Sequence, residues 1–243
     1  MRSGIFIRFV FISLLWSITS ASAQVPFKLY NPGDYFAGAG IIGINFGSNA
    51  VYNHKSPLTD TEIAALSVQN ISSFDRSATR FYSRQAARWS DGFLIAGTLL
   101  PAGLFIAKEF RDDNGIVAVM ALESILLSSA EVQLVKGLVK RPRPFVYNPI
   151  APQSEKRKKD ATASFFSGHT ALTATASMYT ASVYTMTHPD NKRDPWIWTG
   201  AVLIPLTTGY LRYKAGKHFP SDILAGFIIG SINGILIPQL HKK

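Results

Sequence analysis

The sequence predicts an all-α protein, a helical bundle embedded in a membrane with about five to six crossing helices. Three observations carry that expectation. Hydrophobic residues make up 47% of the 243 positions and charged residues only 16%, a balance that leans towards lipid. Five stretches are free or nearly free of charge (92–107, 115–135, 170–187, 196–211 and 223–240), and each approaches the roughly 20 residues that cross a bilayer. Small residues recur within them, which suits close helix packing in lipid. A soluble helical domain with apolar core helices is the alternative, because several stretches fall short of a full span.

Taken in order, residues 1–23 read as an export signal. Arg2 and Arg8 are their only charges, an apolar run covers Phe9 to Ile18, and Ala21-Ser22-Ala23 fits a small-x-small cleavage pattern. An uncleaved first membrane helix is the other reading. Residues 24–91 form an exported N-terminal segment without a catalytic cluster. Within it Asn31-Pro32-Gly33-Asp34 is a turn, and Gly38, Gly40, Gly43 and Gly47 suggest an irregular segment. Thr59 with Glu62 forms a capping box that opens a helix over 60–67. From Phe74 the pattern is amphipathic and helical: Phe74, Ala78, Phe81, Tyr82 and Trp89 share one face, while Arg76, Arg80, Arg84 and Arg88 recur on another. Residues 92–243 are the catalytic helical domain, with Trp196 and Trp198 placed for an interfacial belt.

If 92–107 enters from outside, the spans alternate, residues 136–169 lie outside, and the Lys192–Arg193 loop and the tail from His241 lie in the cytoplasm. The loop and tail obey the positive-inside tendency. The stretch 136–160 does not, since it holds eight Lys and Arg against Glu155 and Asp160. A basic outer loop calls for a function, and binding phosphate supplies one. The whole chain carries 25 basic and 15 acidic residues, a formal charge of +10. That balance points to acidic partners, and the apolar content makes them lipid or phosphate rather than nucleic acid. No cysteine is present, which excludes disulfides, cysteine nucleophiles and thiolate metal sites.

Three clusters carry chemistry, all on the outer side. They are Lys136 with Arg143-Pro144, then Ser167-Gly168-His169, then Arg212, His218 and Asp222. Lys136, Arg143 and Arg212 can neutralise the charge spread over a phosphoryl group in flight. Ser167 and Gly168 offer a hydroxyl and backbone N–H groups at a helix N-terminus. Two histidines can divide nucleophilic attack and proton transfer, and Asp222 can hold an imidazole in one tautomer. His54, His188 and His241 lack such company and read as surface residues.

With these spacings the chain resembles the type 2 phosphatidic acid phosphatase superfamily, which also contains bacterial acid phosphatases and vanadium haloperoxidases. The family pattern Lys-x6-Arg-Pro, Pro-Ser-Gly-His and Ser-Arg-x5-His-x3-Asp is met over residues 136–222. Phe166 stands where the family has proline and Leu211 where it has serine. The resemblance implies a phosphohistidine intermediate, with His218 as nucleophile, Asp222 as its orienting partner and His169 as general acid. Lys136, Arg143, Ser167, Gly168 and Arg212 would bind the phosphate, with no metal or other cofactor. The expected substrate is a lipid phosphate or lipid pyrophosphate, at an inner membrane with the site facing the periplasm or exterior. A soluble exported acid phosphatase, a vanadium haloperoxidase and a non-enzymatic anionic-lipid binder are the other readings.

Overall fold

The computed structural model describes residues 25–29, 32–189 and 191–243, and among them it is helical without a strand. Nine α-helices follow in order: α1 (Gly33–Asn53), α2 (Asp60–Ala64), α3 (Ser73–Arg76), α4 (Arg84–Thr98), α5 (Asn114–Leu138), α6 (Gln153–Lys156), α7 (Gly168–Thr187), α8 (Asp194–Lys214) and α9 (Pro220–Leu240). The predicted leader, residues 1–23, lies outside the described residues.

Helix α7 is the axis of the bundle, packed by α9, α8, α4 and α5. Its sequence explains how it is buried on every side. Ala171, Ala174, Ala176 and Ala181 let neighbours approach. The hydroxyls of Thr173, Thr175, Thr180 and Thr185 donate back to carbonyls four residues earlier, at 2.8–2.9 Å. No buried hydroxyl of this set therefore needs water. Helix α9 meets α7 through Gly226, Gly230 and Gly234, and a Cβ at these positions would stand 2.5, 2.2 and 2.4 Å from the carbonyl oxygens of Ser167, Ala171 and Thr175. The other face of α9 carries Leu224, Ile228, Ile232 and Leu236, all exposed. With Ile95, Leu99, Leu203 and Leu206 they form an apolar belt around the bundle, too extensive for a surface facing only water. Three helical stretches, Arg84–Ile106, Phe110–Leu138 and Pro220–Leu240, are long and apolar enough to cross a membrane. Among the described residues the expected five to six are not reached, because the Thr-rich α7 and α8, although as long as α9 or nearly so, are less apolar.

Several expectations change. The glycine-rich stretch read as irregular is the 21-residue helix α1, which lies along α5. Gly137 of α5 admits it closely, since a Cβ there would be 2.9 Å from Tyr52 N. The amphipathic helix expected from Phe74 is broken. Helix α3 ends at Arg76, a 3-10 turn covers Ser77–Arg80, and α4 starts afresh where Ser83 Oγ accepts from Ala86 N. The first crossing stretch thus begins at Arg84, before residue 92. Its α-helical part stops at Thr98 because Pro101 can offer no N–H and crowds the preceding turn. Helix α2 starts at the Thr59–Glu62 capping box and ends at Ala64, short of residue 67. His241 is buried, with Nε2 3.4 Å from both Asp34 and Glu123.

The largest correction concerns topology. Lys28 N donates to His241 O, Lys243 N donates to Pro26 O, and Val25 N donates to Asp113 Oδ2. Residues 25–29 therefore sit with the C-terminus, at the end of the bundle away from Lys136, His169 and His218. The sequence alone predicts all of 24–91 on the same side as those residues. Helix α1 runs along α5 and delivers Lys55 to the other end. There its ammonium donates to the carbonyls of Lys136, Val139 and Thr162 at 2.5–2.7 Å, capping α5.

Candidate active site

The three sequence clusters converge at one end of the bundle, each held by local structure. Lys136 lies in the last turn of α5. Ser167 caps α7, its Oγ accepting from Thr170 N, so Gly168 and His169 occupy the first helical positions. Gly168 admits no side chain: a Cβ would lie 2.9 Å from Val132 and 3.5 Å from Lys136 Nζ. Arg212 is in the last turn of α8. That helix closes with Gly216 N donating to Tyr213 O and Lys217 N to Arg212 O, a paired C-terminal cap that needs a left-handed residue. Gly216 supplies it at φ 68°, pressed against Phe81 O. This reversal is why His218 returns beside Arg212 only six residues later.

His218 is fully buried. Its Nδ1 lies 2.7 Å from Ser164 O. A carbonyl can only accept, so Nδ1 carries the proton and Nε2 keeps its lone pair. Arg143 Nη1 stands 3.3 Å from that Nε2. Burial, and then the positive charges of Arg143, Lys136 and Arg212, hold the imidazole well below its ordinary range, so the ring is neutral near pH 7. Asp222 Oδ2 is 3.7 Å from Nδ1, beyond hydrogen-bond reach. It accepts instead from Ser164 Oγ at 2.6 Å and Phe219 N at 2.9 Å. Asp222 thus fixes the loop whose carbonyl holds the ring.

The cations are arranged around Nε2. Arg143 is oriented by Asp160, which accepts through its carbonyl from Nε (2.8 Å) and through Oδ1 from Nη2 (2.6 Å), and by Lys217 O. Burial alone would raise the Asp160 carboxyl, but Arg143 and Lys136 outweigh it and hold it below its usual range. Buried Arg212 has Nη1 at 3.1 Å from Ser90 Oγ, while its Nε has no partner among the described residues. His169 Nε2 is 2.8 Å from Asp91 Oδ1, which also receives Arg212 Nη1 at 3.3 Å. A carboxylate only accepts, so His169 Nε2 carries a proton. The assembly is a cationic pocket with a lone-pair nitrogen on one side and a proton-bearing nitrogen on another.

The structure brings together Lys136, Arg143, Ser167, Gly168, His169, Arg212, His218 and Asp222, and it adds residues that sequence reasoning missed. Asp91 was hidden as one polar residue at the end of an arginine-rich stretch, although its place seven positions after Arg84 puts both on one helical face. Arg141 was counted only as a loop charge. It bonds Asp75 Oδ2 at 2.7 Å, Ser221 Oγ at 3.0 Å and Asp222 Oδ1, and lies over the Phe219 ring. Asp75 closes this network by accepting from Ser221 N at 2.9 Å and Ser221 Oγ at 2.6 Å. Nothing local in the sequence marks Asp75, because its partners are 66 and 146 residues away.

Fold and pocket together define a class: an all-α protein with a buried, histidine-bearing cationic pocket at one end of its bundle. A sequence model described as the PAP2 superfamily matches residues 116–243, and the chain belongs to that superfamily. Phosphoesterases are members of it, and a hydrolase of phosphate esters is the activity the family supports. The match contains all eight residues named from the sequence, whereas Lys55, Asp75 and Asp91 lie before it. No significant match was found among curated proteins or among solved structures.

Proposed function

We propose that the chain is a membrane phosphatase that hydrolyses a lipid phosphate or lipid pyrophosphate through a phosphohistidine. The observation that carries this reading is His218: buried, with its Nδ1 proton pinned on Ser164 O and its Nε2 lone pair turned towards Arg143. In the first step Nε2 bonds phosphorus as the ester P–O bond breaks, and His169, present as the imidazolium once the substrate anion offsets the charge of Arg212, gives its Nε2 proton to the leaving oxygen and is left neutral. In the second, water adds to phosphorus, the P–N bond breaks, and His169 takes the water's proton. Lys136, Arg143, Arg212 and the N-terminal backbone of α7 at Ser167 and Gly168 stabilise the phosphoryl oxygens throughout. Asp222 is a positioning residue that acts through Ser164 and Phe219 N.

A lipid substrate is supported by the apolar belt and by a groove of about 270 Å³ between α8 and α9. Leu206, Tyr213, Pro220 and Phe227 line it, and Pro220 is two residues from His218. Asp91 bonds His169 and Arg212, and Asp75 bonds Arg141 and Ser221 behind them, which supports reading residues 33–91 as part of the catalytic unit. In this reading the site faces the exterior, which puts residues 25–29 and the C-terminus in the cytoplasm and sets aside the expected export of residues 24–91. Lys192, Arg193, Lys242 and Lys243 fall at that inner end. Many cations at the site end are tied to internal partners, as Lys55, Arg141, Arg143, Arg157 and Lys158 are.

The test is phosphate release from a panel of lipid and soluble phosphate esters in detergent with excess EDTA, for wild type and His218→Ala. Release from a lipid ester that survives EDTA and disappears in the variant supports the histidine mechanism. Release that persists in His218→Ala overturns it. Release from soluble esters alone points to the acid phosphatase reading.

A further inference from the structure

A cavity of about 530 Å³ adjoins the pocket, walled by Arg84, Ala87 and Arg88 of α4 and by Ala215, Lys217 and Glu155. Arg84, Ala87, Arg88 and Asp91 are spaced to share one face of α4, so this wall runs directly into Asp91, which touches His169 and Arg212. The opposite wall is Lys217, whose carbonyl holds Arg143 and whose neighbour is His218. The cavity therefore opens on the side where His169 would protonate the leaving oxygen.

Its charge is one-sided. Glu155 is its one carboxylate, and that group is already paired with Lys158 at 2.6 Å. Arg84 has a phenolic partner in Tyr82, and Lys217 Nζ lies 4.7 Å over the Phe145 ring. Neither, nor Arg88, has an ion pair among the described residues. Burial, and then repulsion from Arg143, holds Lys217 at about 8. Against these three cations stands only Glu155, which also holds Lys158, so with a monophosphate in the pocket the wall keeps a net positive charge.

We infer that Arg84, Arg88 and Lys217 form a second anion subsite, which takes the inner phosphoryl group of a substrate whose scissile phosphate is the outer one of a diphosphate. The leaving group is then itself a phosphate, held by this wall as His169 protonates it. The inference rests on the proposed phosphatase reading and narrows its substrate.

Binding can be read without turnover, using full-length protein in detergent, methylenediphosphonate and methylphosphonate, and isothermal titration calorimetry. Wild type is expected to bind the diphosphonate about tenfold more tightly, a difference of about 1.4 kcal/mol. The doubly substituted Arg84→Gln, Arg88→Gln chain and, independently, Lys217→Gln should bring the ratio towards one with methylphosphonate affinity unchanged. Equal binding of the two ligands by wild type overturns the subsite, as does an unchanged ratio in both variants or an equal loss for both ligands. Turnover of farnesyl diphosphate and farnesyl monophosphate separates the two claims. Intact discrimination in binding with no phosphate release from either sinks the phosphatase reading and leaves the subsite standing.

Discussion

Arg143 and His218 are linked through charge as well as through contact. Only the neutral imidazole attacks phosphorus, so activity falls as pH drops through the depressed His218 pKa. After burial, Arg143 is the largest cause of that depression. Arg143→Gln removes a positive neighbour and raises the pKa, so the acid limb of kcat/KM should move to higher pH while the rate falls about 10²–10³-fold. An unmoved limb would assign it to another group. Asp91 makes a different prediction. Its carboxylate occupies donors on His169 and Arg212 that a phosphate oxygen would use, and its side chain is 58% exposed. Asp91→Ala should therefore tighten inhibition by inorganic phosphate, by about three- to tenfold for one partly solvated like charge. Weaker inhibition would show that Asp91 supports the anion site instead of competing for it.

Helix α9 sets the site by the way it docks. Its glycine face brings Asp222 O onto Ser167 N at 3.0 Å, so the N-terminus of α7 and the start of α9 are one rigid corner. At Gly230 any side chain meets Ala171 O. Gly230→Val should cost about 1–3 kcal/mol of stability through overpacking and lower activity by displacing Ser167. The equally apolar Ile228→Val on the exposed face should do neither. A thermal melt in detergent beside an activity assay distinguishes the two. The α8 cap is the second such element. Gly216→Ala forces a Cβ against Phe81 O in a left-handed backbone, and the turn that returns His218 to Arg212 should yield, with activity lost more than melting temperature. If Gly216→Ala is fully active, the turn does not set the geometry.

For the whole molecule, the consequence of α1 is that residues 25–29 and the cationic pocket lie at opposite ends. The chain has no cysteine, so single cysteines report sidedness directly. Cysteine placed at Lys158, near the site, should react in intact cells with a membrane-impermeant maleimide. Cysteine at Lys192, in the α7–α8 connection, should react only after lysis. The reverse pattern would put the pocket in the cytoplasm and the end with residues 25–29 outside.

The catalytic constellation was legible because its information is local: Lys136 to Arg143, Ser167 to His169, and Arg212 through His218 to Asp222 each fall within eleven residues or fewer and match a resemblance. The helical class was legible because long uncharged stretches have few other solutions. Helix α1 was not, since glycine lowers helix propensity in water while the contacts that offset it, such as Asn45 Nδ2 donating to Leu126 O, come from α5, 81 residues further on. The break between α3 and α4 was not, because it is imposed by Asp75 reaching Ser221 and Arg141. By itself the sequence determined which cationic and histidine side chains would gather at one end of the bundle, through residue chemistry at short spacing. Tertiary structure alone decided that Ser164 O rather than Asp222 holds the His218 tautomer, that Asp91 guards His169, and that the chain's first described residues lie opposite the site. Each of these depends on contacts between segments far apart in the chain, whose pairing follows from packing and leaves no periodic trace in the residues themselves.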